Sequence, residues 1–187
     1  MKVSIDPGHG GSDPGACGNG LKEKDIALIV ALQVRDYLTA AGCEVIMTRE
    51  TDKDVGYAGD SATEELQARC DIANNFGADV FVSIHCNSIA DPSPSGVETI
   101  YADGSIRGER LANCVQTQLV GLGGLVNRGL KVAPLYVTKH TDAPAVLTEL
   151  AFISNPEDAA KLGDAQWQEK FARAIARGVT DYGSTGN

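Results

Sequence analysis

One stretch of the chain constrains the fold more than any other, the apolar run Asp79-Val80-Phe81-Val82-Ser83-Ile84-His85. Its β-branched and aromatic residues predict a strand. Because the run is nearly continuous rather than alternating, both faces of that strand should be covered. A strand covered on both faces is typical of a parallel sheet that lies between helices, and this indicates an α/β protein.

Other strand patterns alternate with helical patterns along most of the sequence. Further strands are expected at residues 3–5, 43–48, 96–101, 130–138 and 144–150. Helices are expected at 23–40, 64–76 and 107–121, followed by one that Asn155 caps and a last one that begins after Asp164 and ends at Gly183. At 187 residues the chain is most simply a single domain. We place this α/β domain at 1–183 and a linker stub or disordered tail at 184–187.

Segments that lie far apart in the sequence carry reactive side chains at the ends of predicted strands. His9 lies in a glycine-rich loop after the first strand, His85 ends the third strand, and Glu149 lies at the end of the last. Glu23 begins the first helix, which leaves the same edge of the sheet. Because the carboxyl ends of parallel strands meet at one edge, where ligand sites commonly form, we expect these four side chains to converge.

The residue types in this set suit zinc-dependent hydrolysis. Two histidines and one carboxylate, with a fourth coordination position open, form a typical catalytic zinc site. A second carboxylate is then needed to transfer a proton, and Glu149 lies in an apolar strand where a carboxylate is costly without a partner or a task. Taken singly, each residue has an ordinary alternative: His9 or His85 as a hydrogen-bonded core or surface residue, Glu23 as a solvated charge. His140, in a polar stretch, is interpreted as a rim residue.

Composition and missing motifs argue against several other functions. The net charge of −9 argues against nucleic-acid partners and against electrostatic docking on an anionic membrane, and no apolar run has membrane-spanning length. The sequence contains no complete nucleotide-binding glycine motif and no G-x-S-x-G nucleophile motif. Its five cysteines, an odd number without a C-x-x-C pair, are interpreted as small buried hydrophobic residues.

An ordered set of short motifs extends over nearly the whole chain. It consists of Asp6-Pro7-Gly8-His9-Gly10-Gly11, Glu23-Lys24, Thr48-Arg49, Ser83-Ile84-His85-Cys86-Asn87, Gly96-Val97-Glu98-Thr99, Asn127-Arg128-Gly129-Leu130-Lys131 and Glu149-Leu150-Ala151-Phe152-Ile153-Ser154-Asn155. Together these motifs resemble the zinc-dependent N-acetylmuramoyl-L-alanine amidases of bacterial cell-wall metabolism. The departures are small: Cys86 where alanine is usual, Ala151 where glycine is common, and a longer loop at 50–63.

The resemblance implies a twisted, mostly parallel six-stranded sheet with helices on both faces. It also implies one Zn²⁺ per chain, held by His9, Glu23 and His85, and it implies that Glu149 is the catalytic acid/base. The reaction would be hydrolysis of the amide between the lactyl group of N-acetylmuramic acid and L-alanine of the stem peptide, with peptidoglycan as the partner. Separately from the resemblance, we expect a monomer. Two alternatives stay open, a non-catalytic wall-recognition module and a zinc hydrolase of another amide.

Asp6 and Pro7 interrupt the amino-terminal segment before it is long enough to form the apolar core of a signal peptide. We therefore expect either cytosolic synthesis followed by action at the cell wall, as for a phage lysin, or a domain cut from a longer exported hydrolase. The acidic charge and the short tail suggest that wall targeting resides in a separate module after Asn187.

Overall fold

The structure is a computed structural model that describes residues 1–57 and 59–184. The strands are β1 Lys2–Pro7, β2 Cys17–Gly18, β3 Leu21–Lys22, β4 Glu44–Met47, β5 Val80–Asn87, β6 Val97–Tyr101, β7 Asn127–Val132 and β8 Ala145–Phe152. The helices are α1 Glu23–Ala40, α2 Ala62–Phe76, α3 Ile106–Val120, α4 Tyr136–His140, α5 Pro156–Leu162 and α6 Ala165–Ser184. Within the described ranges, no helix has the length and apolar character that crossing a membrane requires.

Six strands form one sheet in the order β4-β1-β5-β8-β6-β7, and β2 pairs with β3 in a separate small hairpin. Strands β4, β1, β5 and β8 are parallel, whereas β6 is antiparallel to β8 and parallel to β7. The mostly parallel six-stranded sheet expected from the sequence is confirmed. Because β6 is reversed, its amino end lies at the edge where β5 and β8 end.

Helices cover both faces of the sheet, and each face has its own core. The larger core lies between the sheet and helices α1, α3 and α6, and it includes Val82 and Ile175. The smaller core lies under α2 and α4, where Phe81 packs near Val137. Successive residues of a strand point to opposite faces. The first half of strand β5 is therefore apolar on both faces, because it supplies side chains to both cores.

The predicted limits of the first two helices agree closely with the structure. Helix α1 spans Glu23–Ala40, as expected, and Gly42 follows it with φ of +83°. Helix α2 begins at Ala62, two residues before the predicted start, because Ser61 forms a capping box. The Ser61 side chain accepts from the Glu64 backbone N–H, and the Glu64 carboxylate accepts from that of Ser61.

The predicted strand at 130–138 is wrong in its second half. Strand β7 ends at Val132, and residues 136–140 form helix α4. Pro134 lies between them and cannot donate to a strand ladder. Val137 is buried in the smaller core. A β-branched residue whose local preference favours a strand therefore anchors a short helix instead.

Smaller expectations also differ from the structure. Strand β2 of the hairpin, Cys17–Gly18, is not among the strands expected from the sequence. The last helix continues through Gly183 to Ser184, and residues 185–187 of the expected tail lie outside the described residues. All five cysteines are free. Cys70 and Cys86 are buried as expected, but Cys17 is exposed, and the other two are partly buried.

Candidate active site

The three residues predicted to bind metal meet at the carboxyl edge of the sheet. Nε2 of His9 lies 3.1 Å from Oε2 of Glu23, and Nδ1 of His85 lies 2.8 Å from Oε1 of the same carboxylate. Ligand atoms of the three residues all lie within 4.8 Å of one another. The histidine side chains are 25% and 18% exposed, whereas Glu23 is 5% exposed. Solvent therefore reaches the two imidazole rings, whereas the Glu23 carboxylate is buried.

This donor set fits Zn²⁺. Ligand atoms at 2.0–2.1 Å from a tetrahedral zinc ion lie about 3.3 Å apart, and the two carboxylate–imidazole pairs are already close to that spacing. Two imidazoles and one carboxylate leave the fourth position open. Asp13 accepts a hydrogen bond from Nδ1 of His9 at 2.6 Å. That contact orients the ring and leaves Nε2 of His9 as the nitrogen that can bind a metal.

Electrostatics at the ligand group favour a cation. Burial disfavours the ionised form of Glu23, but hydrogen bonds from His85 and His9 hold the pKa of this carboxyl well below its usual range. Burial also disfavours a charged His9, yet the Glu23 carboxylate, followed by that of Asp13, raises the pKa of His9 to about 9. A metal must displace this proton, so metal binding should strengthen as the pH rises.

Two arginines hold the loop that carries His9. Arg49 donates from Nε to the carbonyl of Pro7 at 3.1 Å and from Nη2 to that of Gly8 at 2.8 Å. Arg69 donates to the carbonyls of Pro7 and His9, both at 2.8 Å. His9 has φ of +57°, which is uncommon for a residue with a side chain. The arginine contacts stabilise this conformation and thereby fix the direction of the imidazole.

Gly8 allows the backbone to pass directly against His85. A Cβ at position 8 would clash with Cε1, Nε2 and Nδ1 of the His85 ring. We expect Gly8→Ala to displace the ring, to lower the free energy of unfolding by about 1–3 kcal/mol, and to weaken metal binding by about 10–100-fold. Urea denaturation and zinc titration measure both effects.

Gly163→Ala is the matched control for this substitution. Its φ is −84°, and an added Cβ would make only contacts of 3.4 Å or longer. We expect stability and metal affinity close to those of the wild type. A Gly8→Ala protein that matched this control in both measurements would contradict the close packing described here.

Glu149 faces the ligand group from the neighbouring strand. Its Cα partners that of His85 in the β5–β8 ladder, and partnered side chains on adjacent strands point to the same face. Burial raises the pKa of Glu149 to about 7; nearby His85 opposes this shift, and the charges of Glu23 and Glu98 add to it. Among the described residues, the buried Oε2 of Glu149 has no hydrogen-bond partner. Such an oxygen is costly to keep, which points to a chemical role.

The ligand group opens into a cleft of about 750 Å³. Its walls combine apolar side chains, such as Leu66 and Leu147, with polar ones beside His9. His140 lies apart from the metal ligands on α4, where its ring stacks on Tyr136 at 4.0 Å between centroids. The cleft is large enough for a segment of peptide or sugar.

Comparison with known proteins decides the family. A profile described as N-acetylmuramoyl-L-alanine amidase matches residues 3–181, which include all four residues of the site. The chain belongs to this amidase family. The family identified from the ordered motifs is therefore confirmed, together with the α/β fold that the resemblance implies.

Relatives of this amidase domain include enzymes of known name. It is 37% identical to the germination-specific N-acetylmuramoyl-L-alanine amidase of Bacillus subtilis (strain 168), covering 96% of this chain and 78% of the relative. It is 40% identical to the N-acetylmuramoyl-L-alanine amidase LytC of the same organism, covering 96% of this chain and 35% of LytC. The solved structure of the N-acetylmuramoyl-L-alanine amidase AmiC2 of Nostoc punctiforme is also similar, with a TM-score of 0.88. The two sequences are 35% identical, and the match covers 98% of this chain and 97% of that of AmiC2.

Two carboxylates at the amidase site are not found by reasoning from the sequence. Asp13 follows His9 by four residues in the glycine-rich loop, and that short spacing is a signal that could have identified it. Glu98 partners Glu149 across the antiparallel β6–β8 ladder. No pattern in the sequence shows that β6 is reversed, so the position of Glu98 becomes apparent only in the structure.

Proposed function

We propose that this chain is a zinc-dependent N-acetylmuramoyl-L-alanine amidase that acts on peptidoglycan. It hydrolyses the amide between the lactyl group of N-acetylmuramic acid and L-alanine of the stem peptide. The observation that carries this proposal is the convergence of two imidazoles and a carboxylate beside Oε2 of Glu149, which has no hydrogen-bond partner among the described residues. Membership of the amidase family supports the reaction class. The complete set of chemical groups argues against a wall-recognition module that has lost activity.

His9, Glu23 and His85 would hold Zn²⁺, which when bound supplies Lewis acidity toward a carbonyl oxygen and lowers the pKa of water. Glu149 transfers the proton. Because burial raises its pKa to about 7, Glu149 can accept a proton from the attacking water near neutral pH. As a carboxylic acid it then donates that proton to the alanine nitrogen, which leaves as an amine. A solvated glutamate would be a weaker base.

Glu98 allows the proton-transfer role of Glu149 to be tested by pH. The negative charge of Glu98 raises the pKa of Glu149, so its removal stabilises the Glu149 carboxylate and lowers that pKa. We therefore expect Glu98→Gln to shift the acidic limb of the kcat/KM profile to lower pH. Rates measured from about pH 5 to 9 report this limb. An acidic limb that stays in place or moves to higher pH would contradict the assignment.

Analysis of the products from digested peptidoglycan distinguishes the amidase from its alternatives. The proposed reaction creates new N-terminal L-alanine without new reducing sugar. Hydrolysis of an N-acetyl group would release acetate, and hydrolysis of a peptide bond within the stem would expose other amino termini. A recognition module would leave the polymer intact. We expect alanine alone as the new amino terminus, and any of the other three results would refute the proposed reaction.

We also infer that the chain works as a monomer at the cell wall. The ligand atoms and the catalytic carboxylate all come from one chain, so no second copy is needed to complete the site. Sedimentation of the zinc-loaded protein measures this directly. Activity that required a dimer would overturn the inference.

A further inference from the structure

A row of side chains crosses the sheet beside the proposed catalytic site. His85 on β5 partners Glu149 on β8, and Glu149 partners Glu98 on β6. Because partnered residues point to the same face, the three side chains line one surface. The next strand, β7, places Gly129 opposite Glu98, immediately after Arg128 at a shift in the register. Arg128 therefore lies at the end of this row.

Arg128 is held on two sides. Its Nε donates to Oε2 of Glu98 at 2.8 Å, and its guanidinium lies 4.8 Å from the ring centroid of Phe152. The other oxygen of Glu98 accepts from Nδ2 of Asn87 at 3.0 Å, so the carboxylate that anchors Arg128 is itself fixed. The arginine side chain is 33% exposed. Within residues 1–57 and 59–184, neither Nη1 nor Nη2 of Arg128 has a hydrogen-bond partner.

Three other cationic side chains near the site already have hydrogen-bond or ion-pair partners. Arg49 and Arg69 are buried and donate to carbonyls of the His9 loop. Lys24 pairs with Asp52 at 2.8 Å. Arg128 differs because its orientation is fixed through Nε while its two Nη groups stay available. Such a planar pair of donors matches the geometry of a carboxylate.

We propose that Arg128 binds a carboxylate of the stem peptide, on the residue that follows the alanine. It would thereby select peptides in which this group is a free carboxylate over those in which it is amidated. The inference rests on the proposed amidase function. In a protein of net charge −9, a local cation of this kind would offset the repulsion that an anionic substrate group meets.

The spacing of the strands supports this assignment. Adjacent strands lie about 4.8 Å apart, so β7 is roughly 10 Å from β8 and Glu149. The Arg128 side chain extends back toward Glu98 on the intervening strand. An extended peptide advances about 3.3–3.6 Å per residue. A carboxylate on the residue after alanine thus lies one to two strand spacings from the scissile amide, within reach of the free Nη groups.

Two synthetic substrates test the proposal. One is N-acetylmuramoyl-L-alanyl-D-glutamyl tetrapeptide with a free α-carboxylate, and the other carries a carboxamide there. We expect the zinc-loaded wild type to prefer the carboxylate by about 10–100-fold in kcat/KM. The difference should lie mainly in KM, because the contact is made equally in the ground and transition states. Release of the alanine amino terminus is followed by chromatography.

Variants at position 128 separate a binding role from a structural one. For Arg128→Gln, kcat/KM on the carboxylate substrate should fall to about the value on the amidated substrate. The value on the amidated substrate should change by less than about threefold. Arg128→Lys keeps the charge but not the planar pair of Nη donors, so its preference for the carboxylate substrate should be intermediate. Arg35→Gln is the matched control, because Arg35 is 32% exposed and ion-paired and lies roughly 18 Å from Glu23 along α1. It should leave both rates unchanged.

The possible results are distinct. If Arg128→Gln lowers both rates equally, Arg128 is only the counter-ion of Glu98 and the inference is overturned. A wild type that cleaves both substrates equally well overturns it too. If the wild type releases alanine from neither substrate, the proposed amidase function fails instead.

Discussion

Glu149→Gln is expected to lower kcat/KM by about 10²–10⁴-fold while leaving zinc bound. Glutamine has nearly the same shape as glutamate, but its amide cannot accept a proton from water at neutral pH. Because the buried Oε2 of Glu149 has no hydrogen-bond partner in the part of the chain that is described, removal of its charge also relieves a desolvation cost. The melting temperature should therefore stay the same or rise, as is common when a functional group that is costly to bury is replaced.

Two further variants make this result specific to Glu149. His85→Ala should lose both zinc and activity, because it removes one of the three proposed ligands. Glu44→Gln removes an exposed glutamate from the edge strand β4 and should change neither. Zinc content by metal analysis and alanine release are measured together for each protein. Near-full activity of Glu149→Gln would show that another group transfers the proton.

The second large effect is expected at Asp6, beneath the His9 loop. Its Oδ1 accepts from Thr48 at 2.7 Å and from Arg69 at 2.8 Å, and its Oδ2 accepts from Ser83 at 2.6 Å. Asp6 is 1% exposed and Arg69 is 3% exposed. Asp6→Asn would leave the buried Arg69 charge with only the partly exposed Glu65 carboxylate, at 3.0 Å, as its counter-ion. We therefore expect a loss of about 2–4 kcal/mol in the free energy of unfolding. Urea denaturation at neutral pH measures this loss.

The pH dependence of the Asp6 effect provides a second test. Burial disfavours the ionised carboxyl, but Arg69, followed by Ser83 and Thr48, lowers the pKa of Asp6 below its ordinary value. A lowered pKa contributes stability that is fully present above the unfolded value of about 3.9 and is lost as the pH falls through the folded value. The difference between wild type and Asp6→Asn should therefore shrink in acid.

Asp36→Ala is the control for Asp6. Asp36 is 68% exposed and pairs with Arg35 at 2.8 Å, and such exposed pairs contribute about 0–1 kcal/mol. If Asp6→Asn were no more destabilising than Asp36→Ala, the buried pair would not hold the loop as described.

Much of the site could be predicted because the fold follows from local patterns. The apolar run in β5 predicted a strand covered on both faces, and the alternation of strands and helices predicted a mostly parallel sheet. Since parallel strands end at one edge, His9, His85 and Glu149 could be expected to converge without knowledge of the strand order. Glu23 followed from the predicted start of α1 at that residue. The structure brings all four together.

What could not be predicted depends on long-range geometry. If β6 ran parallel to β8, Glu98 would lie at the opposite edge of the sheet, and only the observed antiparallel pairing places it beside Glu149. The contacts of Arg49 and Arg69 with loop carbonyls join segments that are far apart in the chain, and periodicity contains no information about such contacts. Likewise, Val137 favours a strand locally, but its burial under α2 anchors a short helix.

The most direct test of the central claim measures N-terminal L-alanine released from purified peptidoglycan by one preparation in three states. The protein is assayed as isolated, after chelation, and after one equivalent of zinc is restored. We expect activity to disappear on chelation and to return with zinc, because the proposed site of His9, Glu23 and His85 would hold a single ion. Alanine release that persisted in fully chelated protein, or no release with zinc shown to be bound, would contradict the assignment as a zinc-dependent amidase.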